Sequence, residues 1–221
     1  MKKLFVFLLL MPAAITGAQI ENIDFTPFVP KDYKLDGVAF GDLDHDSISD
    51  CVLVVTGIDT TKIVVDELHG TKVNNNRSSL IVLFSRNGHY ERVLEKRDFL
   101  PAAGSGLAAD YAQVMSAEIR NGNLRLYHSF GRSGYCTLLF RYHRGMFCLV
   151  SYGASHNDGK IVLSRTSINF LTGQKYENVN VGNDDGKVVL EKKERAIPKT
   201  DLLRLEALTT YEEALRYCTS Q

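Results

Sequence analysis

Asp42, Asp44 and Asp46 alternate in the stretch Gly41-Asp42-Leu43-Asp44-His45-Asp46-Ser47-Ile48-Ser49-Asp50, and Asp50 leads straight into the apolar run Cys51-Val52-Leu53-Val54-Val55. Counted from Asp42, the carboxylates fall at loop positions 1, 3, 5 and 9, the spacing by which a tight loop wraps oxygen ligands around Ca²⁺. The Ile48 carbonyl, at position 7, is the fifth expected ligand, with water completing the shell. A solvated turn has no reason to repeat Asp in this way, and carboxylates held so close repel one another unless a cation neutralises them. Ser47 stands where such loops need a positive φ, which costs a residue with a side chain on the order of 1 kcal/mol. Position 12 is Leu53 rather than Glu, so the loop is not an EF-hand. The alternative reading is an acidic hairpin that holds no metal.

Other constellations carry less chemistry. Gly131-Arg132-Ser133-Gly134 sets a serine between glycines with His128 close by, but it lacks the Gly-x-Ser-x-Gly spacing of a nucleophile elbow and reads as a glycine-rich turn. Gly104-Ser105-Gly106 is a weaker version of the same pattern. His45, His69, His89, His143 and His156 fall in expected turns, and no His-Glu-x-x-His or paired-cysteine zinc spacing occurs. Carboxylate pairs for glycoside hydrolysis come together only in three dimensions, so a hydrolase assembled from distant residues stays open as an alternative.

The segment from Gly41 to Val55 resembles the calcium loops of integrin-type FG-GAP repeats, in which Gly-Asp-x-(Asn/Asp)-x-Asp-Gly-x-x-Asp enters a hydrophobic strand; it departs from them at Ser47. Those loops sit in propeller blades, whereas here the loop occurs once, so the whole propeller is not carried over. With the hairpin Phe140-Arg141-Tyr142 to Phe147 and the segment Asn169-Phe170-Leu171-Thr172-Gly173-Gln174, the chain resembles a group of exported proteins of Gram-negative bacteria. That resemblance implies export and one calcium loop, and no particular activity.

The elements that must position the loop are mostly strands. Gly37 to Asp42 enters it and Cys51 to Gly57 leaves it; Leu80 to Phe84, the Asn87-Gly88 turn and Tyr90 to Arg97 complete a four-stranded, blade-like antiparallel unit. Glu67 to Ser79 has turn composition and reads as a surface loop. Pro101 to Asp110, rich in Ala and Gly, divides the chain. Beyond it, Val114–Arg120 and Asn123–Phe130 flank Asn121-Gly122, and Thr137–Tyr142 pairs with Phe147–Tyr152 across Arg144-Gly145. Ile161–Asn169 follows Asn157-Asp158-Gly159, and Val188–Glu194 follows Asp184-Asp185-Gly186. Leu138, Phe140, Tyr142, Phe147 and Leu149 share one face of the central hairpin, and Leu139, Met146, Val150 and Tyr152 the other. A capping box of Thr209 and Glu212 starts a short C-terminal helix with Tyr211, Leu215 and Cys218 on its docking face. Leu202 to Leu208 fits either that helix or a strand. The expected fold is therefore mainly β, an antiparallel meander or sandwich-like sheet with one short C-terminal helix.

Lys2-Lys3, the apolar run Leu4–Met11 and the small residues Thr16-Gly17-Ala18 match a secretory signal over residues 1–18. A lead-in over 19–36, with Phe25 and Phe28 to tack it down, would precede one β-rich domain over 37–221, in sub-units 37–100 and 111–221. The apolar run is about half of what a bilayer requires, and no later stretch qualifies as a transmembrane segment. An exported chain is expected in the periplasm or outside the cell. Without Lys2 and Lys3 there are 24 basic and 26 acidic residues, which offers no electrostatic footprint for nucleic acid. Arg132, Arg141, His143 and Arg144 read as solvated strand and turn residues, with an anion site as the alternative. If Arg144-Gly145 is a two-residue turn, Cys148 faces Arg141 and Cys136 faces Gly153, so these two cysteines cannot bond. Cys51 and Cys218 remain a possible pair, and four buried free thiols are the alternative. These features together describe an exported, non-catalytic binding module with a protein or glycan partner.

Overall fold

The computed structural model describes residues 23–65, 67, 70–102, 114–182 and 188–221. The expected signal sequence, the Gly104-Ser105-Gly106 pattern, most of Pro101 to Asp110, His69 and the Asp184-Asp185-Gly186 turn lie outside these residues.

Uniformly apolar runs form strands covered on both faces. Such runs make β2 (Asp50–Gly57) and β5 (Ser78–Arg86), the inner strands of a four-stranded antiparallel sheet. β1 (Tyr33–Gly41) and β6 (His89–Leu100) are its edges. One face of β2 and β5 (Val52, Val54, Leu80, Val82, Phe84) enters the main core. The other (Cys51, Leu53, Val55, Ile81, Leu83) is capped by the lead-in, where Phe25 lies 6.1 Å from Phe40 and 6.0 Å from Tyr90, ring to ring. Phe25 and Phe28 thus tack the lead-in down as expected. The strand begins earlier than its composition indicated, however, because Tyr33 to Leu35 pairs with Gly57 to Val55 before a bulge resets the register at Gly37.

The second sheet is a seven-stranded antiparallel meander in simple sequence order. It runs through β7 (Val114–Arg120), β8 (Asn123–Ser129), β9 (Gly134–His143), β10 (Met146–Asp158), β11 (Ile161–Asn169), β12 (Gln174–Asn180) and β13 (Leu190–Ala196). The β9–β10 hairpin is central, as its two covered faces implied. Asn87-Gly88, Asn121-Gly122 and Arg144-Gly145 all take positive φ at both positions, the type I′ geometry that matches strand twist. β12 carries no strand signal of its own, because Gln174-Lys175-Tyr176-Glu177-Asn178-Val179-Asn180 is largely polar, and β13 starts two residues later than expected. A small hairpin of β3 (Ile63–Val65) and β4 (Lys72–Asn74) replaces part of the loop expected over Glu67 to Ser79.

The register across Arg144-Gly145 is as derived for Tyr142↔Phe147, Phe140↔Leu149 and Arg141↔Cys148. A bulge between Leu149 and Ser151 then shifts it, so Cys136 faces Ala154 rather than Gly153 and Tyr152 faces Leu138. The extra residue turns Tyr152 to the core face, opposite to the strict alternation expected for it. All four cysteines are free. Cys51 packs in the outer cluster of the first sheet and Cys218 in the main core, on opposite sides of that sheet, which rules out their pairing.

The chain between β13 and the helix fills a gap. β11 pairs with β10 only from Ser151 onward, leaving the start of β10 with an open edge. Leu149 N–H donates to the Leu203 carbonyl, 2.8 Å, and Arg204 bridges Cys148. A 3₁₀ turn over Leu205–Ala207 follows, so Leu202 to Leu208 is neither helix nor a full strand. Helix α1 (Tyr211–Thr219) then buries Tyr211, Ala214 and Cys218 against both sheets. Its N-cap is Thr210, and Glu213 reaches back to the Thr209 N–H at 2.8 Å. The expected partner in that role, Glu212, instead grips Arg77 through two bonds of 3.0 and 2.9 Å.

Candidate cation site in the acidic loop

The loop is held from below and above. Leu43 is fully buried in the main core between two acidic neighbours, fixing the chain so that Asp42 and Asp44 stand on either side of it. Asp50, also fully buried, accepts the Leu43 N–H through Oδ2 at 2.7 Å and the Ser85 N–H through Oδ1 at 3.1 Å. This carboxylate therefore closes the loop onto its own start and onto the end of β5. Asp42 accepts the His45 N–H at 2.7 Å and the Ser47 N–H at 3.0 Å, and Asp46 accepts the Ile48 N–H at 2.7 Å. Such local side-chain to backbone bonds stabilise the tight turns that alternate aspartates allow. His45 and Ser47 both sit in the left-handed region, at φ 66° and 68°, so Ser47 does take the conformation for which glycine is the ordinary choice.

These turns bring one oxygen each of Asp42, Asp44 and Asp50 within 4.8 Å of one another. Each oxygen that accepts a backbone N–H keeps a second lone pair, so the three carboxylates have the chemistry to hold one hard cation. Asp46 and Ile48 are not in that group of three. They line, with Asp44, Ser85, Arg86 and Asn87, an adjoining depression of about 400 Å³. Burial pushes the Asp50 carboxyl above its ordinary range, against the pull of the backbone N–H groups of Leu43, Ser85 and Asp44. Burial raises Asp44 as well, with the neighbouring Asp46 charge adding to it. Ionising these groups is costly while only protein surrounds them.

Arg86, which the sequence did not mark, lies with its guanidinium 3.7 Å from Asp44 and stacks over Phe84 at 5.5 Å. It is a weak internal counter-ion. No linear spacing could have revealed it, since the pairing of β2 with β5 brings it there. The loop also meets the second sheet: a Cβ on Gly122 would lie 2.2 Å from His45 Cε1, and one on Gly41 2.6 Å from Ile119 Cγ2. Glycine at these two positions lets the loop and β1 close against the β7–β8 hairpin.

The remaining serine and histidine candidates among the described residues lie on separate elements of the two sheets and their turns, with Ser133 and His156 both lining one cleft. Ser133 ends a 3₁₀ turn whose neighbour Gly134 is required by the Ser155 carbonyl, 1.9 Å from any added Cβ. His128 is buried between Phe130 and Tyr211, and burial lowers its pKa to about 4 despite the nearby Glu212 charge. His89 pairs with Glu91 at 3.1 Å, while His156 falls within β10 rather than in a turn. Arg132, Arg141, His143 and Arg144 are exposed. Among the described residues, no helix is long and apolar enough to cross a membrane. In comparisons with protein-family models, curated proteins and solved structures, none matches this chain.

Proposed function

We propose that the chain is an exported, non-catalytic binding module whose acidic loop holds one structural Ca²⁺. The observation that supports this reading is the convergence of Asp42, Asp44 and Asp50, with oxygens within 4.8 Å of one another, in a loop whose sequence spacing is that of oxygen-ligated calcium. Asp46 and the Ile48 carbonyl complete the set, drawn in from the adjoining depression when the ion binds. The ion neutralises carboxylates that burial and mutual repulsion otherwise penalise, and it stiffens the corner at which the first sheet meets the second. The sheet surfaces and loops held by that corner then serve a protein or glycan partner in the periplasm or outside the cell.

Thermal melts of the protein in excess EDTA, in Ca²⁺ and in Mg²⁺, beside Asp44→Ala, test the cation. Free Ca²⁺ at ~100 times its dissociation constant stabilises by about 2.7 kcal/mol. For a domain of this size that is a rise on the order of 5 °C in Tm. A rise specific to Ca²⁺ that Asp44→Ala loses supports the site; superimposable melts leave only an acidic turn.

A further inference from the structure

We propose that the cleft between α1 and the core face of β9, β10 and β11 binds a neutral, mainly apolar small molecule carrying a hydrogen-bond-accepting oxygen, with Tyr152 as its polar anchor. The cleft has a volume of about 460 Å³, within the range that holds one- or two-ring ligands. Its lining includes Phe130, Ala154 and Leu215, which supply apolar walls from β8–β9, β10 and α1. Among the described residues no Asp, Glu, Lys or Arg lines it, and the His156 ring that does is exposed at its edge, so a charged ligand seated in the cleft would gain no buried ionic partner.

Tyr152 is the residue that gives the cleft a direction. It lines the cleft and is only 7% exposed as a residue, yet its hydroxyl is not sealed in the core and makes no hydrogen bond to any described residue. A tyrosine presents an apolar ring with a polar tip, and a ligand oxygen here would accept a bond that the protein itself does not. Burial pushes this hydroxyl up to about 12, which keeps it a neutral donor. The side chain reaches the cleft only because the bulge after Leu149 turns it inward. At the rim, Ser164 and Thr166 on β11 also line the cleft and leave their hydroxyls available to a second polar atom or to water. The cleft shares no residue with the acidic loop, so this inference stands or falls independently of the cation.

Protein-observed NMR titrations of the protein with benzophenone, with its hydrocarbon analogue diphenylmethane and with the anionic 4-benzoylbenzoate test the proposal. Benzophenone should bind saturably with shifts centred on Tyr152, Ala154 and Leu215. Diphenylmethane should bind about three- to tenfold more weakly, the worth of one hydrogen bond, and the anion more weakly still. Tyr152→Phe should erase the preference for the ketone while keeping hydrocarbon binding, and Ser164→Phe, which fills the mouth, should abolish both. Absence of saturable binding by either neutral probe, a ketone preference that survives in Tyr152→Phe, or tightest binding of the anion would overturn it. Should Ser164→Phe fail to fold, the Tyr152→Phe comparison still decides.

Discussion

At one end of the interface between the sheets, the acidic loop lays His45 against the Gly122 turn, while Gly41 admits Ile119. At the other end, α1 seats Tyr211 edge-on to Phe99 of the first sheet, 6.4 Å between rings, and 5.5 Å from His128 of the second. Both corners join the same two layers, by opposite chemistry. The helix corner is apolar, its Tyr211 hydroxyl meeting the Cys136 thiol at 3.0 Å, and Arg77 braces its rim by donating to the Asp98 and Phe99 carbonyls as well as to Glu212. Its Arg77–Glu212 ion pair closes within the protein. The loop corner concentrates carboxylates around one buried aspartate and, among the described residues, sets against them the half-exposed Arg86 guanidinium at 3.7 Å. A corner whose charges pair within the protein can be rigid unaided; one that collects like charges carries a repulsion that a cation would relieve.

The largest expected effect breaks the helix corner. Tyr211→Ala removes a fully buried aromatic side chain in contact with both sheets and should cost about 4 kcal/mol, with or without Ca²⁺. Chemical denaturation in EDTA and in Ca²⁺ would show equal losses in both; a loss that Ca²⁺ rescues would mean the two corners are not separate.

A smaller effect appears with pH, also at the helix corner. His128 has its folded pKa lowered to about 4 by burial, against an ordinary 6.5, so the unfolded chain binds the extra proton between these values. Stability from this group is fully present above pH 6.5, falls as pH drops toward 4, and changes no further below that. The full difference is on the order of 3 kcal/mol. His128→Gln, compared with the unmodified protein across that window, should remove this slope and leave the slope from carboxylates; identical pH profiles would refute the assignment.

Two weaker changes sharpen the loop corner. Ser47→Gly relieves a left-handed residue and should stabilise the loop by about 1 kcal/mol, tightening Ca²⁺ binding as read by calorimetry. Arg86→Gln removes a competing cation and should tighten Ca²⁺ about twofold, worth about 0.5 kcal/mol at a partly exposed pair, while lowering stability in EDTA. Weaker Ca²⁺ binding in either variant would place the ion elsewhere.

Much of this fold was legible because strand turns carry sharp local signals. Asn87-Gly88, Asn121-Gly122 and Arg144-Gly145 each mark a hairpin, Arg144-Gly145 also sets the register beside its turn, and the apolar runs of β2 and β5 announce buried strands. What stayed hidden depends on partners distant in the chain. Polar β12 is held by its neighbours rather than by its own residues, and a single bulge moved Tyr152 across the sheet. In the loop, the aspartates were visible by spacing, but the closing of Asp50 onto Ser85, the Arg86 counter-ion and the seat of His45 on Gly122 all arise from pairings that span tens of residues. Arg77 was equally silent, since nothing near it in sequence foretells Glu212.

Hydrogen exchange of individual backbone amides, with and without Ca²⁺, tests the contrast between the corners most directly. The amides of Leu43, His45, Ser47 and Ser85, which donate to the loop carboxylates, should exchange much more slowly in Ca²⁺, and those around Asn121-Gly122 should follow. The amides of α1 should exchange at the same rate in both. Unchanged exchange at the loop, or protection spread equally over α1, would contradict a cation-held corner opposite a self-sufficient one.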